Sequence, residues 1–462
     1  MADNEGGRGV GTLQMTQNDV LSHGVDLFEP TKQEKAVRSG REIMVRPTTS
    51  VRNEGPIEFL VPSQANDYMQ LGSFRLWGVC RIYDAKSKER NQAVAKDVPY
   101  SVCNLFPAAL FRAIEVCLNG EPVADLQTEL HHYKQYIETV LSYGKDARAG
   151  HLPNSMFHMD EPGRFEQFGG NPSNLVRAEL VGGSRDFDFE MPICSDFLQA
   201  DRYLPYGNDL TIKFIRQNDA FSIFCDNDAV QLKVEIKDLR IYYRSLQMHP
   251  AVQQFHEKEW LEKGRPIIFP ILRTVITPIT INAGVRHHNQ NTLFHGQLPN
   301  LLVIGFVNSD AYNGDYARNP FNFQHFGLSK INLRVKGVVV PSEPYRPDWD
   351  NGLFAREYNG LLQNTGIKIS NDGCCITKAH FAGGCYLQAF DLTSDNCAGF
   401  HQHPPEDGSI QLELEFKDTL VKPIVMLAYA VFNAEVRINS KMRVSTHNLK
   451  RKATAALELE DD

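Results

Sequence analysis

The sequence predicts an all-β protein made of two tandem jelly-roll β-sandwiches, each with a short inserted helix. Two patterns predict this double jelly roll. Apolar or alternating runs are separated by Gly-, Pro- and Asn-rich turns, which is the order of antiparallel sheets rather than of strand–helix–strand units. The second half of the chain repeats the order of the first at an offset of roughly 200 to 220 residues, so the repeating unit is a whole domain.

The composition favours a folded chain without a general affinity for nucleic acid. Of the 462 residues, 42% are hydrophobic and 10% are aromatic, which is enough for a sizeable core. The 48 basic and 56 acidic residues leave a net charge of −8, so the whole surface would not wrap DNA. Residues 1–11 lack the apolar core of a secretory signal, and the longest apolar run, residues 424–432, has the length of a strand. We expect a soluble chain, made in the cytosol and not inserted in a membrane.

The nine cysteines predict free thiols in a reducing compartment rather than a disulfide framework. Their number is odd, their density is low, and no Cys-x-x-Cys pair occurs. The adjacent Cys374 and Cys375 are compatible with a redox or metal-binding role, but a strand end with two small buried residues is the simpler interpretation.

The first half begins with a segment of low apolar content. Residues 1–54 are predicted as an N-terminal arm, partly disordered, that either orders against a neighbour or remains a solvated tail. The first jelly roll is predicted over residues 55–245. Its expected strands lie at residues 56–62, 70–83, 111–118, 187–191, 209–215 and 230–243.

Two local signals divide this first half. Asn119 and Gly120 follow a predicted strand and form a strong two-residue hairpin signal. A helical spacing then predicts a helix over residues 125–143, with Asp125 as N-cap and Gly144 as the stop. The residues that recur at this spacing are Leu126, Leu130, Tyr133, Ile137 and Leu141. Residues 145–186 are predicted as a long loop rich in Gly, Pro and Asn.

A polar segment over residues 246–265, helical at 251–263, is the predicted linker between the halves. The second jelly roll is predicted over residues 266–440. Its expected strands lie at residues 266–272, 273–277, 301–307, 331–337, 338–340, 386–391, 409–416 and 424–438, with a helix at 352–362 and a turn-rich segment at 308–315. In both halves a strand, a Gly turn and a return strand precede a helix containing tyrosine, a Gly-rich loop and an aromatic strand. This shared order of elements favours a duplicated domain over a chance similarity between the halves.

No combination of residues predicts catalysis, a cofactor or a bound metal ion. His401 and His403 form an HxH pair, and two further pairs are His131–His132 and His287–His288, but each supplies two ligands where zinc requires three or four. We interpret these histidines as surface loop residues. Asp226–Asp228 and Asp310–Asp315 lack the closing glutamate of a calcium loop, and turn chemistry explains them. No phosphate-binding Gly loop or nucleophile-elbow motif occurs, and the alternating carboxylates Asp186, Asp188, Glu413 and Glu415 are typical of a solvent-facing sheet. We expect a chain that is not an enzyme.

The end of the chain changes composition. Residues 441–462 are predicted as a charged C-terminal tail in which a basic run precedes an acidic end. Such a run would suit contact with nucleic acid or a nuclear import signal, although short charged termini are usually only solvated. The candidate contact residues are Lys441, Arg443, Lys450, Arg451 and Lys452.

The most specific pattern is the run at residues 296–314. A buried strand leads into the turn-rich sequence Asn308–Gly314, and the segment Asn319–Phe323 follows. Together with the helix containing Tyr358 and the strand at 389–393, this pattern resembles the second barrel of the double jelly-roll major capsid (hexon-like) proteins of polinton (Maverick) elements, adintoviruses and adomaviruses. First-half segments at 57–59, 116–120 and 136–143 match as well, so the resemblance covers residues 56–438.

The resemblance implies a structural role rather than an enzymatic one. Proteins of this family form homotrimers with a pseudo-hexagonal outline, because each chain supplies two barrels, and the trimers tile an icosahedral shell around double-stranded DNA. It implies as partners the chain itself, neighbouring capsomers, penton or minor capsid proteins and, weakly, packaged DNA. It implies a location in the virion, with synthesis in the host cytoplasm and assembly in the host nucleus, and related elements integrate into animal genomes. Two alternatives stay open: a jelly-roll protein that binds carbohydrate or a receptor, and a minor or penton capsid protein.

Overall fold

A computed structural model describes residues 34–51, 55–64, 66–85, 93–94, 98–123, 130–225, 231–369, 373–394 and 404–448. Ten strands belong to the first half: β1 Val37–Val45, β2 Ile57–Val61, β3 Asp67–Asp84, β4 Tyr100–Val102, β5 Phe111–Leu118, β6 Glu121–Pro122, β7 Phe187–Pro192, β8 Leu210–Arg216, β9 Ile223–Cys225 and β10 Leu232–Met248. Nine belong to the second: β11 Ile267–Ile281, β12 His287–Gln297, β13 Leu301–Asn308, β14 Leu328–Val335, β15 Val338–Tyr345, β16 Leu387–Asp391, β17 Asp407–Phe416, β18 Ile424–Ile438 and β19 Val444–Asn448.

The two halves form β-sandwiches with the same topology. The first pairs its strands in the orders β1-β10-β3-β7 and β2-β8-β5-β6, and the second in the orders β11-β18-β13-β16 and β12-β17-β14-β15. If the short β4-β9 pair and β19 are set aside, each half has eight strands. Numbered along the chain, they form the sheets 1-8-3-6 and 2-7-4-5 in both halves. All pairs within these sheets are antiparallel, so the predicted duplication and jelly-roll class are confirmed.

The strands follow the predicted alternation because every second side chain points into a sandwich. In β3 the buried residues include Phe74, Leu76, Cys80 and Ile82, while the intervening residues are partly exposed. The central strand β18 is buried on both faces over most of its length, as its continuous apolar run predicts.

Matching tight turns close one hairpin in each half. Asn119 and Gly120 have positive φ angles of 53° and 87° between β5 and β6. Lys336 and Gly337 have φ angles of 51° and 83° between β14 and β15. Two consecutive positive φ values are the geometry of the two-residue hairpin turn, which the Asn-Gly sequence favours and Lys-Gly tolerates.

Nine α-helical segments decorate the sandwiches within the described residues: α1 Phe106–Ala109, α2 His131–Ser142, α3 Lys145–Ala149, α4 Pro172–Val181, α5 Asp219–Ser222, α6 Pro250–Glu257, α7 Ser309–Asn313, α8 Ala355–Asn364 and α9 Lys378–Ala382. The helix predicted at 125–143 is α2, which starts at His131; Asp125, its predicted N-cap, lies outside the described residues. The helix predicted at 352–362 is α8. The linker is helical, as predicted, through α6 and a π-helical turn at Lys258–Glu262.

Several segments differ from the predictions, and β12 and the short β4-β9 pair were not predicted as strands. Residues 145–186 are not only loop, because they contain α3 and α4; their high content of Gly and Pro concealed a helix in which Pro172 occupies the first turn. The segments predicted as separate strands at 266–272 and 273–277 form one strand, β11. Cys374 and Cys375 lie in the loop before α9 rather than at a strand end.

Both segments predicted as terminal arms contain a strand. β1 lies within residues 1–54 and pairs with β10 from Val37 to Val45. β19 lies within residues 441–462 and pairs with residues 434–438 of β18. Neither strand was expected, because β1 has mostly exposed side chains and β19 is short and polar, so neither shows the apolar alternation of a half-buried strand.

Candidate assembly site: the junction of the barrels and the exposed surfaces

Helix α2 lies at the junction between the two sandwiches. Ten of its twelve residues are buried, including polar ones such as His131 and Gln135. On its second-barrel side, Tyr136 stacks on Phe321 with ring centroids 4.3 Å apart, and Tyr133 stacks on Tyr312 at 6.1 Å. Of the predicted apolar stripe, Leu130, Tyr133, Ile137 and Leu141 are buried, and Leu126 lies outside the described residues. The helix is covered on nearly all sides because both barrels pack on it.

A buried ionic cluster lies beside this helix and reaches the second barrel. The Lys134 Nζ atom is 3.0 Å from Asp196 Oδ1 and 3.1 Å from Glu138 Oε1. From the second barrel, the Tyr429 hydroxyl donates to Glu138 at 3.1 Å, and the Thr274 N–H donates to Asp196 at 2.9 Å. Burial alone would lower the pKa of Lys134, but the nearby carboxylates outweigh it and hold the pKa well above its ordinary value.

A second buried cluster centres on Asp160, which is fully buried. Its carboxylate forms an ion pair with the Arg177 guanidinium at 2.6 Å and accepts hydrogen bonds from Asn171 at 2.8 Å and from Asn319 at 3.2 Å. Asn319 belongs to the second half, and its Nδ2 also donates to the Phe165 carbonyl at 3.2 Å. A removed partner would leave a buried charge or donor unsatisfied, so this cluster specifies one arrangement of the two barrels.

The backbones of the two halves also meet closely near α9. The Gly163 N–H donates to the Gly383 carbonyl at 2.6 Å. A Cβ atom on Gly383 would lie 2.7 Å from the Gly163 nitrogen, and one on Gly384 would lie 2.4 Å from the Phe165 ring. Because only glycine permits these approaches, Gly383 and Gly384 determine how the 160–165 segment rests on the second barrel.

These contacts make one body of two barrels. A single hydrophobic cluster runs through both sandwiches, from Ile57 in β2 to Ile438 in β18. Beside the ionic cluster a cavity of about 520 Å³ is lined from both halves, by residues that include Glu138, Asn300 and Tyr429. The junction therefore holds two sandwiches of the same topology in a fixed orientation.

The structure places two of the five basic tail residues predicted as contacts. Lys441 and Arg443 are exposed in the turn between β18 and β19, and the backbone N–H groups of both donate to the Asn439 side chain. The same turn touches the first barrel, because Asn119 Nδ2 donates to the Met442 carbonyl at 3.0 Å. Lys450, Arg451 and Lys452 lie outside the described residues, so contact with nucleic acid stays a prediction.

The histidine pairs differ from the surface loops that the sequence predicted. His131 and His132 are buried in the first turn of α2. As polar residues they were expected at the surface, but α2 is covered on both sides. His287 and His288 lie in β12, and His401 and His403 lie outside the described residues. Within the described residues no group of three or more His, Cys, Asp or Glu side chains could hold a metal ion. The eight cysteines that the structure describes are free thiols, and Cys397 lies outside.

The exposed apolar side chains include a short row on α4. Leu175, Val176 and Leu180 are 46%, 43% and 38% exposed on the outer face of this helix, whose inner face buries Arg177 and Val181. Leu180 also lines a groove of about 660 Å³ together with Trp77. No helix among the described residues is long and apolar enough to cross a membrane.

The same arrangement of barrels occurs in solved structures of virus shells. A chain of the Sputnik virophage superposes with a TM-score of 0.60 at 12% identity, over 98% of this chain and 97% of that chain. The capsid of the virus PBCV-1 gives a TM-score of 0.57 at 12% identity, over 91% of this chain and 98% of that chain. This chain has the double jelly-roll fold of viral major capsid proteins. The Faustovirus major capsid protein gives 0.56 at 8% identity, over 90% of this chain and 92% of that one.

The double jelly-roll chain also has a relative by sequence. It is 24% identical over 343 residues to the uncharacterized protein F54H12.2 of Caenorhabditis elegans, which corresponds to 73% of this chain and 80% of that protein. No family model matches the chain. At 8% to 12% identity, the solved structures show the fold of this chain, and two of them are named as a virus capsid and a major capsid protein.

Proposed function

We propose that this chain is a major capsid protein, which trimerises into capsomers of pseudo-hexagonal outline and tiles an icosahedral shell around double-stranded DNA. One observation carries the proposal: two sandwiches with the same strand order are locked into a single body by α2 and two buried ionic clusters. Three such bodies around an axis supply six similar barrels. A ring of three copies joined head to tail closes on itself, as a finite capsomer requires.

The surfaces suit assembly by flanks and loops. The insertion that carries α3 and α4 projects an apolar row, Leu175, Val176 and Leu180, of the kind that a neighbouring subunit covers. Both terminal strands are additions to a sheet: β1 pairs only with β10, at the edge of its sheet, and β19 extends the β18 sheet beyond β13. We infer that the segments beyond these strands contact neighbouring capsomers or the enclosed genome.

The proposed partners are further copies of the chain, penton or minor capsid proteins and packaged DNA, and the proposed location is the virion. The origin that we propose, a polinton-type element, rests on the resemblance of residues 296–314; such elements integrate into animal genomes, and the chain has a relative in a nematode. Because two complete barrels are present, a single-barrel penton or minor capsid role is less well supported than the major one.

Shell assembly tests the proposal directly. The full chain is expressed, concentrated over a range of ionic strengths, and fractionated by sedimentation before imaging by electron microscopy. We expect closed particles of uniform diameter. A chain that never assembles, and instead binds immobilised glycans as a monomer, would support the receptor-binding alternative.

A deletion of residues 1–33 separates the role of the N-terminal segment from the fold, because β1 begins at Val37 and stays intact. We expect unchanged thermal stability and impaired particle formation. The matched control is a deletion of residues 453–462, which keeps β19 and the basic run. Normal particles from the chain without residues 1–33 would contradict the proposed contacts between that segment and neighbouring capsomers.

A further inference from the structure

Two histidines are buried side by side at the start of α2. His131 and His132 are 3% and 1% exposed and form the first turn of the helix. Within the part of the chain that the structure describes, His131 Nε2 and His132 Nδ1 have no hydrogen-bond partner. A buried ring nitrogen without a partner is costly, and protonation of the ring would add a charge to the same site.

The surroundings of both rings disfavour a positive charge. The His132 ring packs against Tyr133 and Phe221, with centroids 4.6 Å and 4.3 Å away. The charges that act on His131 are those of Lys134 and of a protonated His132, and both repel it. The first turn of a helix carries the positive end of the helix dipole, which also opposes an imidazolium.

Few interactions favour the protonated rings. A hydrogen bond with a backbone group of Phe111 favours protonation of His132, and one with the side chain of Gln135 favours protonation of His131. The nearby carboxylates already form ion pairs: Glu138 and Asp196 with Lys134, and Asp160 with Arg177. Other titratable groups act on Tyr133, Lys134 and Tyr136 of α2: the side chains of Cys103, Cys194, Tyr312, Cys375, Cys385 and Tyr429. Helix α5, whose Phe221 packs on His132, also carries Asp219, which forms an ion pair with Arg216.

The residues that flank and pack on the two histidines also contact the second barrel. Tyr133, the next residue, stacks on Tyr312 of the second half. Phe221, which packs on His132, also contacts Phe321 at 6.0 Å. If Tyr133 or Phe221 moves to let water reach the imidazoles, these aromatic contacts between the barrels are disturbed as well.

We propose that His131 and His132 form an acid-sensitive latch, in which protonation of the two imidazoles opens the junction between the barrels. This inference concerns the isolated chain and does not depend on the capsid role. In an assembled shell it would couple acidification to loosening of each subunit.

The sign of the effect follows from the lowered pKa of each histidine. Burial, aided by Lys134 for His131, lowers the pKa of both rings from 6.5 to about 3 in the closed state. An opened junction restores the ordinary pKa, so the closed state keeps its full stability above pH 6.5 and loses it as the pH falls from 6.5 towards 3. Each ring then favours opening by about tenfold between pH 7.5 and 5.5, or about a hundredfold for the pair.

Thiol labelling measures this opening. Cys385 is buried beside Tyr136 at the junction, whereas Cys80 is buried within the first barrel and serves as the internal control. Labelling with 4,4′-dithiodipyridine at pH 7.5, 6.5 and 5.5 is followed by mass spectrometry. Each rate is divided by that of the same thiol in the urea-unfolded chain at the same pH. We expect the Cys385 rate to rise relative to that of Cys80 by up to about a hundredfold at pH 5.5.

A double variant, His131→Gln with His132→Phe, keeps similar volume and removes both titrating groups. We expect it to lose the rise in Cys385 labelling, while the exposed control His287→Gln keeps it. An equal rise in the double variant and the wild type would overturn the proposal. If the double variant does not fold, a wild-type Cys385 to Cys80 ratio that does not change with pH would still overturn the proposal.

Discussion

The Tyr136 ring of the first barrel lies flat on the Phe321 ring of the second, with centroids 4.3 Å apart and planes 3° from parallel. Tyr136 comes from the helix inserted in the first jelly roll, and Phe321 comes from the loop between α7 and β14 of the second. The inserted helix thus serves the junction rather than its own sandwich alone. Two barrels with an identical strand order are thereby held in one orientation.

Replacement of Tyr136 tests the contribution of this stack. We expect Tyr136→Ala to lower the free energy of unfolding by about 3–5 kcal/mol, because a large, fully buried ring is lost and a cavity remains. Tyr136→Phe keeps the ring and removes only the buried hydroxyl, which lies beside the Cys385 thiol, so it should cost far less than the alanine variant. Urea unfolding measures both, with the partly exposed Tyr203→Ala as the control. Equal losses in Tyr136→Ala and Tyr203→Ala would contradict the role of the stack.

The buried ionic cluster predicts a different response. Lys134→Met leaves the carboxylates of Glu138 and Asp196 without their cation, and we expect a loss of about 3–5 kcal/mol at pH 7.5. A further change of Asp196→Asn should recover part of that loss, because it removes one of the unpaired charges. The control is Lys422→Met, whose exposed pair with Asp310 should contribute less than about 1 kcal/mol. A double variant less stable than Lys134→Met would contradict the charge-based explanation.

The close backbone approach near α9 predicts that a single methyl group disturbs the junction. Gly384 has a φ of 123°, and its Cβ would lie 2.4 Å from the Phe165 ring. We expect Gly384→Ala to cost at least about 2 kcal/mol through backbone strain and overpacking. Gly169 has open space at its Cβ and an ordinary φ, so Gly169→Ala is the matched control and should be nearly neutral. Thermal unfolding of the two variants side by side is the measurement.

A separate pH dependence is expected from His325 in the second barrel. Its ring stacks on Trp349 at 4.0 Å, and the Gly327 N–H donates to its Nδ1 at 3.0 Å. Burial lowers the pKa of His325 to about 4, although Asp350 opposes this. The neutral ring therefore stabilises the fold fully above pH 6.5, and we expect about 2–3 kcal/mol to be lost as the pH falls from 6.5 to 4.

The variant His325→Gln should make this part of the stability curve flatter, at some cost at pH 7.5 from the lost stack. Unfolding in urea, followed by tryptophan fluorescence between pH 7.5 and 4.5, gives the curve. His287→Gln, an exposed substitution, should leave the wild-type slope unchanged. An identical slope in His325→Gln would show that this ring does not titrate on unfolding.

Most of the strand framework was predictable because each strand either alternates or is continuously apolar. The hairpin at Asn119 and Gly120 and the core strands β13 and β18 follow from local sequence alone. The duplication was visible because the order of turns, helix and aromatic strand is kept in both halves. The edge strand β1 was missed because its side chains are mostly solvated, and only its backbone pairs with β10.

The junction could not be predicted from the sequence in the same way. Lys134 and Asp160 are charged residues, and their burial depends on partners far along the chain, such as Asp196 for Lys134 and Asn319 for Asp160. The spacing of apolar residues predicts α2 as an amphipathic helix. Such a pattern cannot show that a second domain covers the polar face of the helix as well. One signal was available: helix α2 carries four aromatic or histidine side chains, more than a solvated face requires.

The proposal of a trimeric capsomer has one decisive measurement: the solution mass of the purified full chain by light scattering, with negative-stain imaging of the same peak. We expect three times the chain mass of 52.2 kDa and a particle with a hexagonal outline formed by six barrels. A stable monomer or dimer without that outline would contradict it.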